Sequence, residues 1–224
     1  MHNKLGVIVI GQSPRPDCVE LFGSCLHDGD EVVVKGALDD LTDDELAALQ
    51  KRHDGKILIA LDRKLNPISI PEEEISKRMQ GKVTELEQEG ANIILVYCSG
   101  RLQKLESTVP LLLPGEILEH TILAIAEGKK VGVLVPDEEQ VQRTIGQFEE
   151  LNTKPHVLAA SPFGPKETIV DACRDIAQFD PALIVMDCTS YNAELKKLAQ
   201  EITGKPVITA ESVLLSIVSE LSGK

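Results

Sequence analysis

The feature that most constrains this chain is an alternation. Short apolar runs suited to strands recur at Leu5–Gly11, Glu31–Lys35, Lys56–Leu61, Asn92–Cys98, Lys130–Val135, His156–Ala160, Leu183–Cys188 and Pro206–Thr209. Between most of them lie stretches with helical apolar spacing and recognisable start signals. Pro16 suits a first helical turn, and Thr42 with Glu45 reads as a capping box. Pro71 followed by glutamates opens a helix that ends near Gly90, and Asp137 caps another. Strand–helix alternation of this kind predicts parallel sheet with helices on both faces. "KLNPISI", 64–70, reads as a short extra strand that Pro67 confines to an edge. Aromatic residues make up only 3% of the chain, so the core must be Val, Ile, Leu and Ala, as in buried parallel sheet.

A weak internal repeat organises these elements. "LGVIVIGQSP", 5–14, resembles "VGVLVPDEE", 131–139, and each half closes on an apolar strand ending in cysteine: "IILVYCSGR", 93–101, and "LIVMDCTSYN", 183–192. The pattern points to two pseudo-symmetric, Rossmann-like α/β lobes, with the chain crossing between them in "TVPLLLPGE", 108–116. The expected division gives the first lobe residues 1–113 and a returning segment 206–224, and the second lobe 114–205. Ligands in such folds sit at the carboxyl ends of the strands. Cys98 and Cys188 fall there, and the expected active site is a cleft between the lobes.

Charge and composition exclude several classes. With a formal net charge of −13 and no Lys/Arg cluster, neither nucleic acid nor an anionic membrane is an expected partner. The acidic stretches "DDLTDDE" and "PEEE" read as solvated helix starts. No apolar run approaches the ~20 residues that span a bilayer, and "LGVIVIG" reads as a strand, not a signal peptide. A cytoplasmic protein with reduced thiols is therefore expected. Five cysteines without a CxxC pair suggest neither a disulfide framework nor a zinc site. There is no GxGxxG after a first strand, no GxxxxGK[ST], no GxSxG and no HExxH, so no nucleotide cofactor or metal is expected.

The opening "GVIVIGQSPRPD", the strand ends "VYCSG" and "MDCTSY", and the closing "KPVITAESVL" together resemble the AroM family. That family belongs with the aspartate/glutamate/hydantoin racemase superfamily, and the resemblance covers essentially the whole chain. It implies two α/β lobes related by a pseudo-dyad and a cofactor-independent reaction. One cysteine from each lobe flanks the substrate α-carbon: one thiolate removes a proton, and the opposite thiol delivers one. Carried over, Cys98 and Cys188 become the candidate acid–base pair. Gln12 and Ser13 stand at the polar pair after the first strand, and Ser99 and Thr189 at the positions following the cysteines. The chain departs from glutamate racemases, which carry CNT where Cys98-Ser99-Gly100 stands and CTH where Cys188-Thr189-Ser190 stands. They also carry Asp-Ser in place of Gln12-Ser13.

The residues themselves support this chemistry. A thiol, with an ordinary pKa near 8.5, moves toward neutrality beside a helix N-terminus or a cation. A helix expected to begin near Asn192 offers the first to Cys188, and Arg101 offers the second to Cys98. The substrate carboxylate needs donors. Candidates are the hydroxyls of Ser13, Ser99, Thr189 and Ser190, the loop amides including that of Gly100, the Gln12 side chain and the Arg15 guanidinium. Tyr97 and Tyr191, the chain's two tyrosines, each flank a candidate cysteine and offer a phenolic donor or an aromatic wall. Plainer readings stand beside these. Cys18, Cys25 and Cys173 read as core packing, Ser190 and Asn192 as helix caps, and Asp187 either as a site residue or as a partner of a neighbouring amide.

The leading expectation is a racemase or epimerase acting at the α-carbon of a small carboxylate or related carbonyl compound. A related isomerase or decarboxylase is a near variant. The alternative is a non-catalytic carboxylate-binding or regulatory protein on the same fold. A homodimer is left open.

Overall fold

The computed structural model describes residues 2–52, 55–100 and 103–224. The chain divides into two compact units, Met1–Leu113 with Leu215–Lys224, and Pro114–Leu214. The first contains β1 (Lys4–Val9), α1 (Pro16–Gly23), β2 (Glu31–Gly36), α2 (Asp43–Leu49), β3 (Ile57–Leu61), β4 (Pro67–Pro71), α3 (Glu72–Gln88), β5 (Ile93–Val96) and β6 (Leu111–Leu112). The second contains α4 (Pro114–Ala126), β7 (Lys130–Val135), α5 (Glu138–Glu150), β8 (Lys154–Ala159), α6 (Lys166–Phe179), β9 (Leu183–Met186), α7 (Ala193–Thr203) and β10 (Val207–Thr209). Helix α8 (Ala210–Ser222) begins in the second unit and ends in the first.

Each unit is built on one four-stranded parallel sheet, in the orders β2-β1-β5-β6 and β8-β7-β9-β10. The two orders follow the same path: first strand in the middle, second at one edge, cysteine strand on the other side, short fourth strand outermost. Registers match as well. Gly6 faces Ile94 and Ile8 faces Val96 across β1 and β5, as Gly132 faces Ile184 and Leu134 faces Met186 across β7 and β9.

Side chains on a strand alternate between faces, and the cores follow that rule. In the first unit, Ile8, Ile94 and Val96 pack with Ile75, Met79, Val83 and Leu86 of α3. In the second, Val131, Val133 and Val135 pack toward α4 and α5, while Leu134, Ile184 and Met186 pack toward α6 and α7. Each fully buried Val, Leu or Ile contributes about 1.5–3 kcal/mol, so these aliphatic layers carry the fold despite the scarcity of aromatics.

The helix-start signals are realised. Pro16 stands in the first turn of α1. The Thr42–Glu45 capping box closes on both sides, with Thr42 N–H donating to Glu45 at 2.8 Å and Glu45 N–H donating to Thr42 Oγ1 at 3.3 Å. Asp137 caps α5 and Asn192 caps α7.

Three details differ from the sequence reading. The run 56–61 does not join the parallel sheet; β3 pairs antiparallel with β4, the "KLNPISI" strand. The turn between them is organised by Asp62, whose carboxylate accepts from the amides of Lys64 and Asn66 and from the Asn66 side chain. The crossing segment supplies strand β6, with Leu111 opposite Ile94. The return to the first unit falls at Leu215, not at 206, because Val207–Thr209 is hydrogen-bonded to β9 of the second sheet. At the end of α8, the Ser222 hydroxyl donates to Cys25 O at 2.8 Å. No helix among the described residues is long and apolar enough to cross a membrane.

Candidate functional site

Both cysteines lie one residue beyond a continued sheet ladder. Past β5, Tyr97 N–H donates to Ile8 O at 2.8 Å; past β9, Asp187 N–H donates to Leu134 O at 2.9 Å. Ile8 and Leu134 are equivalent in register, so Cys98 and Cys188 occupy the same position in the two topologies. Their side chains continue matching rows. Cys98 packs with Ile94 and Val96 on the α3 side, and Cys188 with Ile184 and Met186 on the α6 side. The turns also correspond. Gly100 N–H points at Cys98 Sγ and Ser190 N–H at Cys188 Sγ, each at 3.4 Å.

The thiol environments are less alike. Cys98 is buried and Cys188 half-buried. Burial pushes the Cys188 thiol above its ordinary pKa, and the Asp187 charge adds to this; the amide and hydroxyl of Ser190 and the amide of Thr189 pull the other way without prevailing. The shift toward neutrality expected from the following helix does not occur. Asn192 Oδ1 takes the Leu195 amide of that helix's first turn at 3.0 Å, and desolvation outweighs the remaining donors. Cys173, wholly inside the second core, is pushed up to about 11 by burial. Cys18 and Cys25 are buried too, although α1 ends at Gly23, before Cys25.

The loop after β1 is tightly held. Gln12 is almost fully buried; its amide N–H donates to Leu61 O at 3.0 Å and its side chain to Leu38 O at 3.1 Å. Ser13 donates twice to Asp39, from N–H to Oδ1 at 2.6 Å and from Oγ to Oδ2 at 2.7 Å. Arg15 is buried in a bidentate pair with Asp17, at 2.8 Å from Nε and 2.6 Å from Nη2. Burial works against the Arg15 charge, but the Asp17 hydrogen bonds and the neighbouring Cys18 and Tyr97 leave its pKa raised. Tyr97, half-buried, sets its ring edge-on to Phe22, with centroids 5.2 Å apart.

Of the other expected site residues, Ser99, Gly100 and Ser190 are half-buried and Thr189 is buried. Arg101 lies outside the described residues. Tyr191, expected to face a substrate, has no exposed surface; its hydroxyl donates to Ala160 O at 2.7 Å. Burial, with Cys188, Asp187 and Cys173 nearby, pushes its pKa far up, so this phenol braces the second core.

Asp39 was not anticipated from the sequence. It opens the acidic stretch "DDLTDDE", which reads as solvated helix start, yet its carboxylate faces inward to Ser13 and to Gly36 N–H, the latter at 2.7 Å. The available signal was its place just past the second strand, at the edge where this fold puts its ligands. Among the described residues there is no group of three His, Cys, Asp or Glu side chains that could hold a metal.

Comparison with known proteins agrees with this architecture. The family model described as AroM protein matches residues 5–222. A search of the curated proteins finds no match. The fold is similar to allantoin racemase from Klebsiella pneumoniae, with a TM-score of 0.63 and 14% identity over 99% of this chain and 88% of that one. It is similar to arylmalonate decarboxylase, with a TM-score of 0.61 and 13% identity over 98% and 92% of the two chains. It is similar also to the maleate isomerase Iso from Pseudomonas putida S16, with a TM-score of 0.61 and 14% identity over 99% and 93%. At such identities the likeness speaks for the fold alone. With its match running through both sheets and both cysteine loops, the chain belongs to the AroM protein family.

Proposed function

We propose that this protein is a cofactor-independent enzyme of racemase or epimerase type, in which Cys98 and Cys188 exchange a proton at the α-carbon of a small carboxylate or related carbonyl compound. The observation that carries this reading is the equivalence of the two cysteines. They share one register position in two copies of one topology, each sulfur facing the amide two residues on. Inverting a carbon centre requires an acid for one face and a base for the other, and a duplicated thiol meets that need. One thiol takes the proton as the other delivers one, burial favouring the protonated form of Cys188; in the reverse direction the roles exchange.

The amides and hydroxyls of Ser99, Gly100, Thr189 and Ser190 are suited to hold the substrate carboxylate and the charge that develops on it. Arg15 is already paired with Asp17, so the loop amides and hydroxyls carry this role, and Gln12 fixes the backbone of the first loop. A second reading is favoured by the protonated state of Cys188. In a decarboxylase a single thiol delivers the proton to the carbanion left by CO2, and Cys98 is dispensable.

The test is exchange of the α-proton in deuterated water, followed by NMR across a panel of small chiral 2-substituted carboxylates, together with decarboxylation of matching malonates. Cys98→Ser and Cys188→Ser are each expected to cut exchange by about 10²–10⁴-fold. Full exchange in both variants sinks the thiol mechanism. Decarboxylation that survives only in Cys98→Ser selects the second reading. Binding that persists in both alanine variants, with no deuterium entering the ligand in the wild type, makes the protein a binder.

A further inference from the structure

The carboxylate of Asp39 takes three hydrogens, from the Ser13 amide, the Ser13 hydroxyl and the Gly36 amide. A carboxylate offers only acceptors, whereas a serine hydroxyl has a single hydrogen and two lone pairs. With that hydrogen directed at Asp39, the two oxygens 2.7 Å apart, the half-buried Ser13 oxygen has only lone pairs left to present. The arrangement is locked from two sides. A side chain at position 36 would bring its Cβ within 2.5 Å of Asp39 Oδ1, so only glycine admits this approach. Behind it, Arg63 Nη2 donates to Asp39 O at 2.7 Å.

We infer that Asp39 is a positioning residue that turns Ser13 into a hydrogen-bond acceptor, so that the loop after β1 reads an N–H or O–H group of the ligand rather than its carboxylate. The inference rests on the proposed reading only in taking this loop as part of the ligand site. It moves Ser13 out of the set of carboxylate donors expected from the sequence, and it narrows the substrate to a carbonyl compound carrying a donor group. The second unit has no equivalent loop: β7 runs through Asp137 directly into α5.

Two probes that differ in one group test this. N-acetylglycine has an amide N–H where the otherwise isosteric O-acetylglycolate has an ester oxygen, and titration calorimetry gives the affinity ratio without turnover. Wild type is expected to prefer the amide by about tenfold, the effect of one neutral hydrogen bond against two facing lone pairs. Ser13→Ala should bring the ratio to about one, and Ser13→Thr, which keeps the hydroxyl, should restore the preference. In Asp39→Asn the side-chain amide donates to Ser13 and frees its hydrogen, so the ratio should fall below one; the same change on a Ser13→Ala background should leave it unmoved. A wild type that binds the ester as tightly as the amide, or that binds neither, overturns the inference, as does an Asp39→Asn ratio equal to that of wild type. The wild-type and Ser13 ratios decide the polarity whether or not Asp39→Asn folds. An amide preference without any proton exchange would instead break the thiol mechanism and leave this inference standing.

Discussion

At the tip of β5, Cys98 follows Tyr97 and precedes Ser99 and Gly100; at the tip of β9, Cys188 follows Asp187 and precedes Thr189 and Ser190. The ladder bond before each cysteine and the amide facing each sulfur repeat to within 0.1 Å. Around that shared core the units diverge. Between its second strand and its cysteine strand the first unit inserts α2 and the β3–β4 hairpin ahead of α3, where the second has α6 alone. The additions converge on one place: Leu61 of the hairpin and Leu38 and Asp39 ahead of α2 all bond the Gln12–Ser13 loop. In the proposed reading the element that handles the proton is duplicated, whereas the element suited to reading the rest of a ligand is built once. A catalytic step that needs two faces calls for the duplication; recognition of an asymmetric ligand calls for the single loop.

The two tyrosines give the largest way to break this comparison. If Tyr191 is a brace and Tyr97 belongs to the loop surface, Tyr191→Ala should destabilise the protein by about 3–5 kcal/mol, as for other buried aromatics. Tyr97→Ala, removing a half-buried ring, should cost roughly 1–2 kcal/mol. Equal shifts of the urea midpoint would erase the distinction. The paired glycines come next. A methyl on Gly132 would sit 2.4 Å from Cγ2 of Ile176, while one on Gly6 would meet the Leu86 side-chain end at 2.8 Å. The branch at Cβ cannot swing away, whereas a leucine tip can. Gly132→Ala is therefore expected to cost about 3 kcal/mol and Gly6→Ala about 1 kcal/mol, again read from urea unfolding. The reverse order would show that α6 rides over its sheet more freely than α3.

The repeat, the two parallel sheets and the strand-tip positions of both cysteines were legible in the sequence because each rests on local pattern. Apolar runs, Pro and capping residues mark elements, and two similar runs end in the same residue. What was not legible depends on contacts across long separations. The pairing of β3 with β4 hangs on Asp62 and its turn, which an apolar count does not see. Val207–Thr209 stays with β9 although the helix after it returns to the first unit. Tyr191 looked like a loop residue by its neighbours, but its hydroxyl finds Ala160, thirty-one positions back. Asp39 was hidden by its own neighbours: in an acidic stretch one carboxylate turned inward has the same letters as its solvated companions. The Cys188 environment was not legible either, because a nearby helix start shows in the sequence and the burial that opposes it does not.

The smallest expected effect sharpens the comparison most. A thiol reacts with iodoacetamide as its thiolate, so the alkylation rate against pH reports the thiol pKa. Burial raises that of Cys188, and the Ser190 hydroxyl and amide oppose the rise. Donors to sulfur favour the charged form, so Ser190→Ala should move the Cys188 inflection to higher pH and slow alkylation near neutrality by a few-fold. At position 100 the first loop has no hydroxyl, and a Cβ built there lies 3.5 Å from Cys98 Sγ, an ordinary contact. Gly100→Ser should thus be accommodated and should shift Cys98 the opposite way, toward lower pH and faster alkylation. If both changes behave as expected, the side chain two residues past each cysteine tunes its thiol, with burial and the Asp187 charge acting beside it on Cys188. If Ser190→Ala leaves the Cys188 profile unmoved, the hydroxyl is no donor to sulfur. The Cys188 environment would then be set by burial, the Asp187 charge and the loop amides.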